Sequence, residues 1–285
     1  MNRQKGFTLM ELLIVIAIIA LLMAILVPAL SKARKQARTV AGLANLRQFG
    51  LMWQMYTGDN NSYFMTGRKI SGVDESCWVY VLQDYHDKDD KARCCPEAST
   101  PFTDKKGSST GVRNPFGAWG MIGPWWTGGG IKDAYYYGGY GIEDHLKNSG
   151  SKANWNHCNH SGVDNIPVLL DCFFVSGVLQ GSGSKPGIEA AYEPPYYDGE
   201  YRDPPSGLGQ MTRFCLNRHD GHTNVLFMDW SVRSVGLKEL WTLKWLPGWD
   251  TENIWTLAGN GGDYRATYDR WANCGNGWMK NFKLY

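Results

Sequence analysis

The chain has 285 residues, with 29 Lys and Arg against 27 Asp and Glu, a formal net charge of +2. Near-balance excludes bulk electrostatic attraction to nucleic acid or anionic lipid. Once a membrane segment of about 30 residues is set aside, the remainder suits one globular domain large enough for a real core.

Residues 7–30 form an apolar run in which Glu11 alone is charged. As a helix rising 1.5 Å per residue it would span roughly 36 Å, enough to cross a bilayer. A cleaved secretory signal has a shorter apolar part ending in an A-x-A-like site. Here Ala24 and Ala29 are the small residues near the end, and the pattern runs on into a helical stretch, so the segment reads as retained. Arg3 and Lys5 on one side are opposed by Lys32, Arg34, Lys35 and Arg38 on the other, so charge alone leaves the orientation open. Glu11 is the costly residue: a carboxylate in hydrocarbon costs about 2.5 kcal/mol or more unless it reaches the headgroups or finds a cation.

Gly6-Phe7-Thr8-Leu9-Met10-Glu11 ahead of an apolar helix resembles the class III signal of type IV pilins and type II secretion pseudopilins, and Pro28 sits where many such proteins have a proline. The resemblance implies a leader at residues 1–6, cleavage after Gly6 by a prepilin peptidase, and methylation of the new N-terminus at Phe7. It implies that Glu11 pairs with the N-terminal amine of a neighbouring subunit, which supplies the missing cation. It also implies a single-pass inner-membrane protein with a cytoplasmic N-terminus and its domain in the periplasm, or outside the cell in an assembled filament. Other pilin-like subunits are then the partners. The expected fold is α+β and pilin-like: a long N-terminal helix, transmembrane then stalk, packed on an antiparallel sheet with long irregular loops. Removing residues 1–6 would take Arg3 and Lys5 from the 29 basic residues and leave 27 against 27 acidic ones.

Residues 31–57 continue the helix as a stalk, with one apolar stripe at Leu30, Ala33, Ala37, Val40, Ala41 and Ala44 and another at Leu43, Leu46, Gly50 and Trp53. From about Leu43 the helix is apolar enough to bury against a domain, and Gly58-Asp59-Asn60-Asn61 ends it. The domain is expected at 58–245. Within it, Trp78–Leu82 reads as a short helix or strand, and 115–141 as mostly loop. Gly128-Gly129-Gly130 is a flexible turn without the strand and Lys-Ser/Thr of a phosphate loop. Ile166–Asp171 reads as a buried strand with Pro167 at its start, where no ladder donor is lost.

Arg218 to Val235 reads as an apolar strand, a tight Asp-x-Ser turn and a returning strand. His219 and Asp229, with nine residues between them, resemble the H-X9-DG pattern of large prepilin-type processing-associated proteins, with Trp230 in place of the glycine. Cys95-Pro96, Tyr140-Gly141-Ile142 and residues 240–245 are similar to that group. His219, Asp220, His222 and Asp229 have the donor types for zinc or for acid–base chemistry. The plainer role is that His219 bonds a loop backbone and locks the hairpin while Asp229 accepts amides in its own turn. No serine or cysteine nucleophile signature accompanies them, so an enzyme is not expected.

His157-Cys158-Asn159-His160 lacks a second half of a zinc motif. Asn260, Asp263 and Asp269 supply oxygen ligands in a glycine-rich loop, the chemistry of calcium, without EF-hand spacing; no other cofactor is expected. Seven cysteines (Cys77, Cys94, Cys95, Cys158, Cys172, Cys215, Cys274) permit disulfides in a translocated domain and leave one thiol over. Cys94 and Cys95 are adjacent, so a bridge from one of them to Cys77 is preferred over one between them. Residues 246–285 form an extension whose tryptophans, Trp249, Trp255, Trp271 and Trp278, are expected to fold it back on the domain. Loop aromatics including Trp125, Trp126, Tyr196 and Tyr197 either pack or stack on sugars, so a membrane-anchored surface polysaccharide binder or adhesin using the pilin signal for export is the rival reading. A substrate secreted along the assembly is a further partner class.

Overall fold

The computed structural model of the chain describes residues 8–66, 69–70, 73–74, 77–85, 90–98, 115–122, 135–152, 154–174, 176–177, 194–200, 211–274 and 276–285. Its N-terminal element is one helix, α1 (Leu9–Asp59), with Pro28 in its interior. The helix ends where the sequence turns polar: Asn60 caps it, and Asn61 and Ser62 take positive φ (52° and 67°). From Leu9 to Val27 its large apolar side chains are exposed. Its buried residues, Gly42, Leu46, Phe49, Gly50, Trp53, Tyr56 and Thr57, begin where the second apolar stripe begins. The first stripe stays in the open, with Val40 65% exposed.

Short antiparallel strands β1 (Lys69–Ile70) and β2 (Val73–Asp74) precede a one-turn helix, α2 (Trp78–Val81). Next come β3 (Trp119–Ile122) and β4 (Tyr135–Gly138), an antiparallel pair. The main sheet contains β5 (Tyr140–Glu143), β6 (Pro167–Asp171), β7 (Ser176–Gly177), β8 (His222–Phe227) and β9 (Val232–Gly236) in the order β7-β5-β6-β8-β9. Its pairs are antiparallel except β5 with β7. A last helix, α3 (Tyr264–Asn273), lies in the C-terminal segment. The architecture is α+β and pilin-like, as the signal resemblance implied.

Strands β3 to β5 correct the loop expected over 115–141. Aromatics there favour extended backbone, but interspersed glycines dilute the two-residue alternation that would have marked strands. Gly128-Gly129-Gly130, Trp125 and Trp126 lie outside the described residues. Pro167 opens β6, and Trp78 begins a helix rather than a strand.

The central strands β5, β6 and β8 are buried on both faces. Along β8, Leu226 and then Met228 belong to a core shared with α1, while Val225 and Phe227 belong to a second core shared with the C-terminal segment. Period-two alternation thus divides one strand between two cores. Glycines set the helix–sheet distance: a Cβ at Gly42 would lie 2.9 Å from Asn224 Nδ2, and one at Gly50 would lie 2.9 Å from Leu226 Cδ1. On the opposite face Trp271 stands edge-on to Trp241, with centroids 5.0 Å apart, and donates to Trp255 O at 2.9 Å. The C-terminal residues close this layer: Tyr285 O accepts from Leu257 N–H at 2.7 Å, and Phe282 O accepts from Lys238 Nζ at 3.0 Å.

All seven cysteines are unbridged, which corrects the preferred pairing of Cys77 with Cys94 or Cys95. Cys95 instead faces a histidine, as set out next.

Candidate functional site: an exposed helix and a buried histidine cluster

Gly6 and Phe7 lie outside the described residues. Glu11 is in the first turn of α1, whose N-terminus Thr8 caps. Thr8 Oγ accepts from Glu11 N–H at 3.2 Å, and the Glu11 carboxylate accepts from the Thr8 N–H and hydroxyl, both at 2.9 Å. A capping box satisfies amides that a helix start leaves open and places an anion at the positive end of the helix. The same carboxylate read from sequence as an unpaired charge therefore has local partners. The apolar window of α1 is wholly exposed and long enough to cross a membrane.

Thr39, at 1.5 Å per residue roughly 42 Å along the helix from Glu11, meets His219. The Thr39 hydroxyl donates to Lys35 O at 3.1 Å, so its oxygen receives the Nδ1–H of His219 at 2.9 Å. The other ring nitrogen, Nε2, lies 3.0 Å from Asp171 Oδ2 and 3.5 Å from Cys95 Sγ. Asp171 ends β6, and its Oδ2 also accepts from Asn224 N–H at 2.9 Å. Arg218 Nη1 stands 3.6 Å from Asp171 Oδ1, while the guanidinium donates to the carbonyls of Pro115, Gly117, Gly139 and Cys172. One arginine thereby ties the approach to β3, the β4–β5 junction and the end of β6 together.

Burial works to raise the Asp171 carboxyl, but His219 and then Arg218 outweigh it and hold the group at about 2. Burial, then the Asp171 charge, pushes the Cys95 thiol well above its ordinary range. The cluster joins α1 to the sheet, and its neighbours reinforce the joint. Asn224 Nδ2 donates to Thr39 O and Tyr140 OH to Gly42 O, both at 3.2 Å. Arg38 pairs with the buried Glu97 at 3.6 Å.

His219 therefore bonds side chains of the helix and the sheet, not a loop backbone. Asp229 lies at the other end of β8 and accepts from Ser231 N–H at 2.9 Å within its own turn. His222 is exposed, with Nδ1 3.1 Å from Asp220 O. The length of β8, roughly 20 Å, separates His219 and His222 from Asp229, so these three do not share a metal. Trp230, at the position of the missing glycine, takes φ 66°. Asp171, Asn224, Cys95 and Thr39 escaped the sequence reading as partners of His219, and Arg218 as the partner of Asp171. The available signal was the lone acid closing the apolar run Ile166–Asp171, since a charge in a buried strand requires a partner.

In the C-terminal loop, Asn260 Nδ2 donates to Ile254 O at 2.8 Å and Thr256 O at 2.9 Å, and Asp263 caps α3 through the amides of Arg265 and Ala266. Asp269 lies on α3, lining a cleft of about 480 Å³ with Tyr196, Trp255, Arg270 and Asn273.

The family model described as the prokaryotic N-terminal methylation motif matches residues 1–27. The type IV wide pilus major component PilA4 of Thermus thermophilus is 54% identical over 63 residues, which are 22% of this chain and 48% of that relative. The match thus spans about half of the relative's length. No solved structure matches the chain. The N-terminal segment of this chain is therefore a prepilin-type methylation motif, carried on an α+β, pilin-like fold.

Proposed function

We propose that the chain is a structural subunit, processed after Gly6 by a prepilin peptidase, methylated at Phe7, and assembled through α1 into a type IV pilus-like filament or a type II secretion pseudopilus. The observation that carries this reading is α1 itself. One continuous helix is wholly exposed and apolar over a membrane-length stretch, then buries its next turns in the domain. A stretch of exposed apolar side chains on that scale calls for lipid or other helices around it. Before assembly the bilayer covers it; in the assembly the same helices of neighbouring subunits do. Glu11 then exchanges its partner Thr8 for the N-terminal amine of a neighbour. The N-terminus faces the cytoplasm and the domain lies across the inner membrane. N-terminal mass spectrometry of protein recovered from cells tests this: the wild-type chain should begin at a methylated Phe7, and Gly6→Leu should accumulate as unprocessed, unmethylated precursor. Normal cleavage and methylation of the Gly6 variant would refute it.

The cleft beside α3 supports a second reading, a surface glycan binder using the same export route. Tyr196 and Trp255 offer ring surface, and Asp269, Arg270 and Asn273 offer hydrogen-bonding groups. Glycan binding abolished by Tyr196→Ala, in a protein that forms no filament, would favour it.

A further inference from the structure

We propose that Cys95 Sγ, Asp171 Oδ2 and His219 Nε2 are ligands of a buried divalent metal ion of the zinc class, which clamps the stalk end of α1 to the sheet. The three donor atoms come from distant parts of the sequence, are all buried, and lie within 4.8 Å of one another. Zinc–ligand bonds of 2.0–2.3 Å at tetrahedral angles put nitrogen and oxygen ligands about 3.3 Å apart and nitrogen and sulfur about 3.6 Å apart. The observed separations are 3.0 Å and 3.5 Å.

The hydrogen-bond pattern points the same way. With Nδ1–H given to Thr39, the Nε2 side of the ring faces a carboxylate oxygen at 3.0 Å, a sulfur at 3.5 Å and the Asn224 amide nitrogen at 3.3 Å. Three ligand atoms converge on one point, where a metal ion takes the place of the Cys95 thiol proton. Asp171 Oδ1, also buried, has no hydrogen-bond partner and stands 3.6 Å from Arg218 Nη1. A metal ion meets the thiolate, the carboxylate and the imidazole together.

The outer contacts are of the kind that orient metal ligands. Thr39 fixes the histidine tautomer, Asn224 N–H holds Asp171 Oδ2, and the Arg218 guanidinium flanks Oδ1. The residues assemble only when α1, β6 and the start of β8 come together, so the ion is taken up with folding.

The test uses the full chain in detergent under reducing conditions, stripped with a chelator and titrated with Co²⁺, then Zn²⁺. The expected result is about one equivalent of cobalt per chain, a thiolate-to-cobalt charge-transfer absorption, and its loss when zinc displaces cobalt. Cys95→Ser should abolish the absorption, His219→Gln should weaken binding at least about ten-fold, and Cys274→Ser should leave both unchanged. Wild-type protein that keeps its circular dichroism and takes up no stoichiometric cobalt overturns the proposal and leaves a proton between His219 and Asp171. An undiminished absorption in Cys95→Ser overturns it too. Should a variant fail to fold, the wild-type charge-transfer absorption decides, because it requires a thiolate ligand. None of these readouts depends on processing or filament assembly.

Discussion

Thr8 and Glu11 hold the start of α1 by satisfying each other's backbone amides. Thr8→Ala keeps the membrane-length helix and loses the cap, which costs about 1 kcal/mol. Amide exchange over the first turn should rise several-fold, and unchanged protection there would show that the cap carries no weight. A second buried pair responds to pH. Burial raises the Glu143 carboxyl above its ordinary value even though His145, 2.5 Å away, opposes this. A raised carboxyl contributes stability below the ordinary carboxylate range and loses it as pH rises through the raised value. Glu143→Gln keeps both contacts to His145, its amide donating to Nδ1, and has no proton to lose. The melting temperature of the variant relative to wild type should therefore climb as pH rises above the ordinary carboxylate range. A difference that does not move with pH would refute the raised carboxyl.

At the scale of elements, the contact between α1 and β8 rests on two glycines separated by about two turns. At Gly50 the atom a Cβ would meet is the far end of Leu226, which can yield, whereas Trp230 O is backbone 3.4 Å away. Gly50→Ala should be close to neutral, since alanine's helix preference of about 1 kcal/mol offsets the crowding. Gly50→Val adds a branch beside the Trp230 carbonyl and should cost about 1–3 kcal/mol. Equal denaturation midpoints for the two variants would mean that the helix is not held this close to the sheet. The apolar spacing over Leu46, Gly50 and Trp53 foretold which face would be buried. It did not foretell that the parallel stripe through Val40 would stay open, because periodicity marks a face as apolar without saying what lies opposite.

For the whole molecule, the sheet divides two cores, and the C-terminal segment is the outer wall of one of them. Leu246, Trp249, Trp255, Trp271, Met279 and Leu284 all belong to that core. A chain ended at Trp245 would uncover the face of β8 that carries Val225 and Phe227, together with Trp241. It should lose cooperative unfolding and bind a hydrophobic dye. A sharp, wild-type-like transition in the truncated chain would show instead that the segment is an appendage.

The amino-acid sequence by itself determined the long helix, its exposed membrane-length part, the methylation motif at its head and the hairpin of β8 and β9, because each is written in contiguous residues with a local period or spacing. Tertiary structure alone decided the partner of His219. The sequence assigned the ring to a loop backbone and Asp229 to its own turn; Asp229 is in its turn, while the ring meets Asp171 from β6, Cys95 from an irregular segment and Thr39 from the helix. Contacts between residues 48 to 180 positions apart follow from strand order and from how closely α1 approaches the sheet. Neither leaves a periodic trace in the sequence, so the lone acid of a buried strand signalled that Asp171 needed a partner without saying which.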